Sequence, residues 1–338
     1  MKNLNHQTGF KVIKPGILSL IQDSGRVGHF NIGLTNGGPI DKTAFKWANR
    51  LCSNDLNASV IEVSVGGLEL QASCDQVIAL TGANIPLSIN NQAKELWQSH
   101  PIKAGDVIKL GFATQGLRSY LAVYGGFQIE KTFDSTATVC REKIGGLCNN
   151  KISGQVGGEI GEKVGGQPLQ IDDCLPCVQL NTDSYPELLQ LEKLHQPTYK
   201  NDITLRTICS YQQKHFSNIE QRMFYSSQYT VSQNIDRMGY RLTGRKVTSD
   251  LKGILSEGIC HGAIQIPSDG QPIVLLNDRQ TIGGYPKIGS VIGLDTQKLG
   301  QLAPGGNVYF EKISMEAANN IFHLNHRLFQ RTKLQKIK

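Results

Sequence analysis

Short apolar runs, rich in valine and isoleucine, recur along the chain between glycine, asparagine, aspartate and proline residues. Runs of this length that are bounded by turn-forming residues are typical of β-strands. The predicted strands are Val60–Val65, Val77–Leu80, Ile85–Ile89, Val107–Leu110, Tyr120–Val123, Ile203–Leu205, Ala263–Ile266, Ile273–Leu276, Ile288–Ile292 and Val308–Phe310. The pattern therefore predicts a mainly β protein.

Helical signals are few and short. The stretch that follows Pro39 has apolar residues at i, i+3 and i+4 spacing, and two other segments carry a hydroxyl residue followed three positions later by glutamate, the capping-box pattern. The predicted helices begin at Asp41, Ser184, Ser217, Asp295 and Ser314.

The length of 338 residues predicts two domains of ordinary size. A segment rich in leucine, glutamine and glutamate separates two β-rich halves and favours a helical connector. Glycines are concentrated in residues 145–166, which predicts a long loop there. The predicted division is an N-terminal β domain (1–177), a helical connector (178–200), a C-terminal β domain (201–312) and a basic helix or tail (313–338).

Composition and charge exclude several classes of protein. Five basic residues and no acidic ones lie after Phe322, and without them the net charge of +7 falls close to zero, so the basic tail does not indicate a nucleic-acid-binding protein. No stretch approaches the ~20 apolar residues that span a membrane, and the N-terminus lacks the apolar core of a signal peptide, so we expect a cytoplasmic protein without a membrane partner. Signature metal-binding motifs are absent, and no metal site is predicted.

Four polar clusters flanked by glycine have the composition of a binding site. They combine guanidinium or amide donors, carboxylates and glycines that allow a ligand to approach the backbone. The four clusters are Gln22–Gly28, Asp236–Arg241, Ser256–Gln265 and the long loop Asn277–Lys287. Each cluster also has a structural explanation, since Asp-Gly and Asn-Gly pairs form ordinary turns and Asp-Arg neighbours form ion pairs.

Known catalytic motifs do not decide between these explanations. The sequence contains no GxSxG nucleophile elbow, no HExxH zinc motif and no GxxxxGK[ST] phosphate loop. From the residues alone, the protein is a two-domain β protein with a polar cleft suited to an anion.

The same clusters resemble a known family. The stretches "IQDSGRVGHFNIGLTNGGPIDKTAFKWANRL", "DRMGYRL" and "LSEGICHGAIQIPSDGQPIVLLNDRQTIGGYPKIGSVI" resemble the biotin-dependent carboxyltransferase-like family, also called allophanate hydrolase subunit 2, KipA or the 5-oxoprolinase C subunit. The resemblance runs from about Gly16 to Phe310. It implies two cyclophilin-like β-barrel domains with a few short helices.

The resemblance also implies an activity and partners. The leading expectation is the C subunit of an ATP-dependent 5-oxoprolinase, a cyclic-amide hydrolase that opens 5-oxo-L-proline to L-glutamate and is active only with a KipI-like subunit (allophanate hydrolase subunit 1) and a LamB/YcsF-like subunit. ATP is expected at the level of the complex, at an unknown site. One alternative is a carboxyltransferase or allophanate hydrolase component that acts on urea or urea carboxylate, and biotin is expected only in that case. The other alternative is a non-catalytic antagonist of a KipI-like protein.

Small amides such as 5-oxoproline and urea need fixed donors that polarise the carbonyl group and a group that accepts or positions protons. The expected catalytic residues are Glu257, Asp278, Arg279 and Gln280. The expected substrate-binding residues are Gln22, Asp23, Arg26, Asp41, Arg237, Gln265 and Tyr285. Because a guanidinium on a loop is not part of a core, Arg279→Ala is expected to abolish activity with little loss of stability.

Overall fold

The computed structural model describes residues 8–148, 165–180, 185–251 and 253–337. The chain divides into two compact units: unit 1 contains residues 1–27, 37–197 and 333–338, and unit 2 contains residues 28–36 and 198–332. The segment 28–36 thus belongs to unit 2 although it lies within the N-terminal part of the sequence. Most of the glycine-rich segment 145–166 and the capping residue Ser184 lie outside the described residues.

Unit 1 contains two antiparallel sheets that share one hydrophobic core. The six-stranded sheet has the order β11-β1-β4-β9-β6-β7, and its strands are β1 Gly9–Pro15, β4 Leu68–Ala72, β6 Leu87–Ile89, β7 Gln92–Lys94, β9 Val107–Leu110 and β11 Cys174–Pro176. The five-stranded sheet has the order β2-β3-β10-β5-β8, and its strands are β2 Leu18–Gln22, β3 Val60–Ser64, β5 Gln76–Asn84, β8 Ser99–Ile102 and β10 Gln115–Val123.

The expected N-terminal barrel therefore takes the form of two facing sheets. The chain passes from β3 in one sheet to β4 in the other through Val65, Gly66 and Gly67, which all have positive φ angles of 68°, 132° and 87°. Gly66 and Gly67 adopt such conformations without strain, and together with Val65 they redirect the chain between the sheets.

Unit 2 contains a closed barrel of seven strands in the order β13-β20-β17-β18-β15-β14-β21. The strands are β13 Asp202–Cys209, β14 Tyr229–Ile235, β15 Gly239–Gly244, β17 Ala263–Gln265, β18 Ile273–Leu275, β20 Lys287–Val291 and β21 Asn307–Lys312. Two further strands, β16 Glu257–Gly258 and β19 Ile282–Gly283, pair with each other beside the barrel. The prediction of a mainly β protein with few short helices is confirmed, and all ten predicted strands overlap an observed strand by at least three residues.

Four α-helices are described: α1 Lys42–Leu51, α2 Asn218–Ser226, α3 Gly293–Gly300 and α4 Met315–Arg331. Asp41, Ser217 and Ser314 cap α1, α2 and α4 through their side chains, as their positions in the sequence predicted. None of the helices in the described ranges is long and apolar enough to cross a membrane.

The prediction that Asp295 caps a helix is wrong. The N-cap of α3 is Ile292, and Asp295 lies in the first turn. Its buried carboxylate instead accepts hydrogen bonds of 2.7 and 2.7 Å from the Arg206 guanidinium on β13. A pairing between residues this far apart in sequence leaves no local pattern.

The connector predicted to be helical is extended where it is described. It contains the two-residue strand β12 Leu189–Gln190 and a 3₁₀ turn at Lys193–His195. The β12 backbone pairs with β22, Gln335–Lys336, which follows α4 and returns the chain to unit 1. This pairing satisfies the backbone groups that a helix would otherwise have satisfied internally, and tertiary contacts therefore override the local helical propensity.

Candidate active site

The loop Asn277–Lys287 lies in unit 2, between barrel strands β18 and β20. It starts with a turn at Asn277 and Asp278, and its middle forms strand β19, which pairs with β16 in the register Glu257 to Gly283. The predicted long loop is therefore held by a backbone ladder at its centre. This ladder brings two of the sequence clusters, Ser256–Gln265 and Asn277–Lys287, next to each other.

Asp278 and Arg237 form a buried ion pair in this region. The Arg237 guanidinium donates from Nε and Nη2 to the two carboxylate oxygens of Asp278 at 2.8 and 3.0 Å. The two side chains are each 6% exposed. Asp278 was expected to act as a catalytic group and Arg237 to bind substrate, but each is the partner of the other. Their geometry supports a role in fixing the start of the loop.

Arg279 is buried, which contradicts the expectation that its guanidinium lies outside the core. The side chain donates to the carbonyl oxygens of Ile259 and Leu276 at 3.1 and 3.4 Å, and its guanidinium lies 5.2 Å above the Phe30 ring. Burial lowers the pKa of Arg279. Because removal of the guanidinium would leave these contacts unmade, Arg279→Ala is expected to reduce stability as well as activity.

Gln265 is the buried polar side chain of the site whose donor group lacks a partner. It is 2% exposed at the end of β17, and its Nε2 makes no hydrogen bond to any residue that the structure describes. A Cβ atom placed on Gly283 would lie 3.0 Å from the Gln265 Nε2 and 3.4 Å from the Gln280 Nε2. The side-chain amides of Gln265 and Gln280 thus lie close together beside Gly283, and glycine is the one residue type without a side chain that would occupy this space.

Glu257 lies in a second polar group on β16. Its carboxylate accepts hydrogen bonds from Tyr211, Gln212 and Lys287, the one from Gln212 at 2.8 Å. Burial alone would raise the pKa of Glu257, but the hydrogen bonds from Lys287 and Tyr211 lower it overall. Glu257 is therefore an ionised carboxylate at neutral pH, and Lys287 and Gln212 are themselves buried.

Four of the expected substrate-binding residues lie in unit 1, where each has a hydrogen-bond partner. Gln22 and Arg26 donate to the carbonyl oxygens of residues 138 and 132, at 3.0 and 3.1 Å. The Asp23 carboxylate accepts from the Ser135 hydroxyl at 2.5 Å and from the backbone N–H of residue 136 at 2.8 Å. Asp41 caps α1 by accepting from the N–H of residue 44. These contacts hold loops in place, and a role in substrate binding stays a prediction.

The other seven expected residues lie in unit 2. Tyr285 is 46% exposed on the loop. Of the remaining six, two form the ion pair already described, and the other four lie on β16 (Glu257), on β17 (Gln265) and just before β19 (Arg279 and Gln280). Sequence reasoning missed Tyr211, Gln212 and Lys287, which surround Glu257, and Phe30, which lies under Arg279. Lys287 is the last residue of the loop Asn277–Lys287, but nothing in the sequence marks the Tyr211-Gln212 pair as its neighbour.

Comparisons with known proteins agree with this architecture. A family model for the carboxyltransferase domain, subdomain A and B, matches residues 32–312. The 5-oxoprolinase C subunit of Escherichia coli (strain K12) is 33% identical over 322 residues, which cover 95% of this chain and 96% of that protein. The similarity thus extends over essentially the whole of both chains.

Much larger enzymes also contain a similar region. Urea amidolyase of Saccharomyces cerevisiae is 28% identical over 327 residues, which cover 93% of this chain and 17% of that protein. The crystal structure of the K. lactis urea amidolyase matches all of this chain with a TM-score of 0.86 at 23% identity, over 21% of that enzyme. At this identity the structural match shows that the fold is shared.

Proposed function

Because this chain belongs to the family of carboxyltransferase domains with subdomains A and B, we propose that it is the C subunit of an ATP-dependent 5-oxoprolinase. The relative that supports this proposal carries the name of that subunit, and the two chains cover each other almost completely. The proposed reaction is hydrolysis of 5-oxo-L-proline to L-glutamate. The proposed partners are a KipI-like subunit and a LamB/YcsF-like subunit.

The observation that carries the chemistry is the buried Gln265 Nε2, a donor without a partner among the residues that the structure describes. An unpaired buried donor destabilises a protein by about 1–3 kcal/mol, so such a group needs a compensating role. A substrate carbonyl oxygen supplies the missing acceptor. The Gln280 Nε2, which lies near the same position beside Gly283, offers a second donor.

Such a pair of donors suits the opening of a cyclic amide. When water adds to the ring carbonyl of 5-oxoproline, negative charge develops on the carbonyl oxygen, and N–H groups fixed around that oxygen stabilise it. The ring C–N bond then breaks, the carbon keeps the oxygen of the attacking water, and the nitrogen takes up a proton. Glu257, held ionised by Lys287, is the proposed proton acceptor for that water.

ATP enters this proposal at the level of the complex. The sequence contains no GxxxxGK[ST] phosphate loop, and no ATP-dependent step is assigned to a residue of this chain. The residues described above act on the amide.

A second candidate is a carboxyltransferase component that acts on urea, with carboxybiotin as the donor. The similarity to urea amidolyase supports it. Urea also presents an amide carbonyl, so the same two donors would polarise it.

Reconstitution distinguishes the two candidates. The purified chain alone should produce no L-glutamate from 5-oxo-L-proline and ATP, and addition of both partner subunits should give production that is lost when any one of the three is omitted. A complex that is inactive on 5-oxo-L-proline but accepts carboxylate from carboxybiotin onto urea would overturn the leading proposal.

A further inference from the structure

Arg279 is a buried cation that bonds only to neutral groups within the described ranges. It is 6% exposed. Its Nε donates to the Ile259 carbonyl oxygen at 3.1 Å, its Nη1 donates to the Leu276 carbonyl oxygen at 3.4 Å, and the Phe30 ring lies against the guanidinium. A buried charge destabilises a fold unless an opposite charge accompanies it, so this guanidinium is suited to bind an anion.

The carboxylates of the site are already paired with other cations. Asp278 bonds to Arg237, and Glu257 bonds to Lys287. Arg279 therefore leaves one positive charge in excess among these five side chains. A carboxylate carries one negative charge and matches this excess, whereas a phosphoryl group carries about two.

One nitrogen of the Arg279 guanidinium remains open to a ligand. Nη2 makes no hydrogen bond to any residue that the structure describes. It is also not among the side-chain nitrogens that are sealed from solvent without a partner. The contacts of Nε and Nη1 thus fix the guanidinium, and Nη2 faces a space that a ligand can enter.

Ile259 connects this cation with the carboxamide donors of the proposed site. Its carbonyl oxygen accepts the hydrogen bond from Arg279, and its Cδ1 lies 2.4 Å from the position that a Cβ on Gly283 would take. That same position is 3.0 Å from the Gln265 Nε2. A single residue therefore lies between the guanidinium and the donor proposed to hold the substrate carbonyl.

We propose that Arg279 binds the carboxylate of the substrate and thereby selects 5-oxo-L-proline over neutral amides. This inference rests on the proposed function, because it names a second contact of the same substrate. In 5-oxo-L-proline, the carbonyl carbon and the carbon that carries the carboxylate are both bonded to the ring nitrogen, so an anion site has to lie near the site of the carbonyl oxygen. The carboxylate is ionised at neutral pH and accepts a charge-assisted hydrogen bond from a guanidinium. Urea has no such group and would gain nothing from this cation.

The test compares two ligands that differ in charge and hardly in shape. The affinities of 5-oxo-L-proline and of its neutral carboxamide, 5-oxo-L-prolinamide, are measured by NMR titration of the reconstituted complex without ATP. The wild type should prefer the carboxylate by about 10-fold, because a hydrogen bond to a charged group is roughly twice as strong as a neutral one. Arg279→Met should bind the two ligands with similar affinity, since it loses the cation but keeps the apolar contact with Phe30.

Two further variants separate ligand binding from stability. Arg206 forms an ion pair with Asp295 elsewhere in unit 2, so Arg206→Met should lower the Tm but leave the preference for the carboxylate unchanged. Arg279→Lys keeps the charge on a single nitrogen, which cannot both hold the two carbonyl oxygens and bind a ligand, so its preference should fall between those of the wild type and Arg279→Met. If thermal unfolding shows that Arg279→Met is not folded at the assay temperature, Arg279→Lys decides.

Several results would overturn this role of Arg279. A wild type that binds both ligands equally, a variant at position 279 that keeps the full preference, or an equal loss of affinity for both ligands would each assign Arg279 to structure alone. Tighter binding of inorganic phosphate than of 5-oxo-L-proline would assign the site to a phosphoryl group. In all of these cases the proposed function stands if the wild-type complex produces L-glutamate. If the wild-type complex neither binds nor hydrolyses 5-oxo-L-proline, the proposed function and this inference both fail.

Discussion

Replacement of Gln265 by methionine should make the protein more stable and less active. Gln265 is 2% exposed and its Nε2 has no partner within the described residues. Folding therefore removes this donor from water, and no hydrogen bond within the described chain offsets the free-energy cost. Methionine has a similar length and no polar atom that requires a partner. The free energy of unfolding should therefore rise by about 1–3 kcal/mol.

The same substitution removes the proposed donor to the substrate carbonyl. Loss of one such donor lowers kcat by about 10²–10³-fold in other amide- and ester-cleaving enzymes. The assays are denaturant unfolding of the isolated chain and L-glutamate production by the reconstituted complex. Each kcal/mol should raise the Tm of the chain by roughly 2–4 °C.

Gln212→Met is the matched control for stability. Gln212 is also buried in unit 2, but it donates to Glu257 at 2.8 Å and accepts from the Lys287 backbone at 2.8 Å. Its replacement should lower the free energy of unfolding, because two partners lose their hydrogen bonds. If Gln265→Met destabilises the chain as Gln212→Met does, Gln265 is an ordinary structural residue. Full activity of the Gln265→Met complex would equally refute the reasoning.

Three further outcomes follow from the same geometry. Asp278→Ala should lower the free energy of unfolding by about 3–5 kcal/mol because it removes the carboxylate that pairs with the buried Arg237 guanidinium. The double variant with Arg237→Met should recover most of that loss, and no recovery in denaturant unfolding would contradict the pairing. Gly283→Ala should lower the Tm of the chain and lower the activity of the complex by about 10–100-fold, since the new Cβ would lie 2.4 Å from Cδ1 of the buried Ile259 and would crowd Gln265. A fully active complex in the L-glutamate assay would contradict this. The hydrogen bond from Lys287 helps to lower the pKa of Glu257, so the carboxylate stays ionised until the pH falls below the usual range for glutamate. Lys287→Met should therefore raise this pKa and shift the acid limb of the pH–activity profile to higher pH. An unchanged acid limb would exclude Glu257 as the base.

The sequence predicted the strands of both units because each consists of a short β-branched run between turn residues, a signal that is local. Helix starts at Asp41, Ser217 and Ser314 were likewise local, since each cap bonds to a backbone N–H three residues later. The prediction for Asp295 was wrong because its carboxylate bonds to Arg206, which is 89 positions away in the sequence.

In the candidate site, too, the local features could be predicted from the sequence and the contacts between distant residues could not. The composition of the loop Asn277–Lys287 and its resemblance to a family singled out a segment of the site, but not which side chains point at a ligand. Arg237 and Asp278 have the residue types of a catalytic pair and instead neutralise each other in a buried bidentate contact. In the sequence Gln265 is one of several amides, and what distinguishes it is a buried donor group without a partner among the described residues.

The most direct test of the central claim is the ¹³C resonance of the ring carbonyl of labelled 5-oxo-L-proline, measured with the reconstituted complex in the absence of ATP. A hydrogen bond to the carbonyl oxygen withdraws electron density from the carbon and moves its resonance downfield. The complex that contains the wild-type chain should show this shift, and the complex that contains Gln265→Met should show a resonance close to that of the free compound. The same downfield shift in both complexes would contradict the assignment of Gln265 as the group that polarises the substrate.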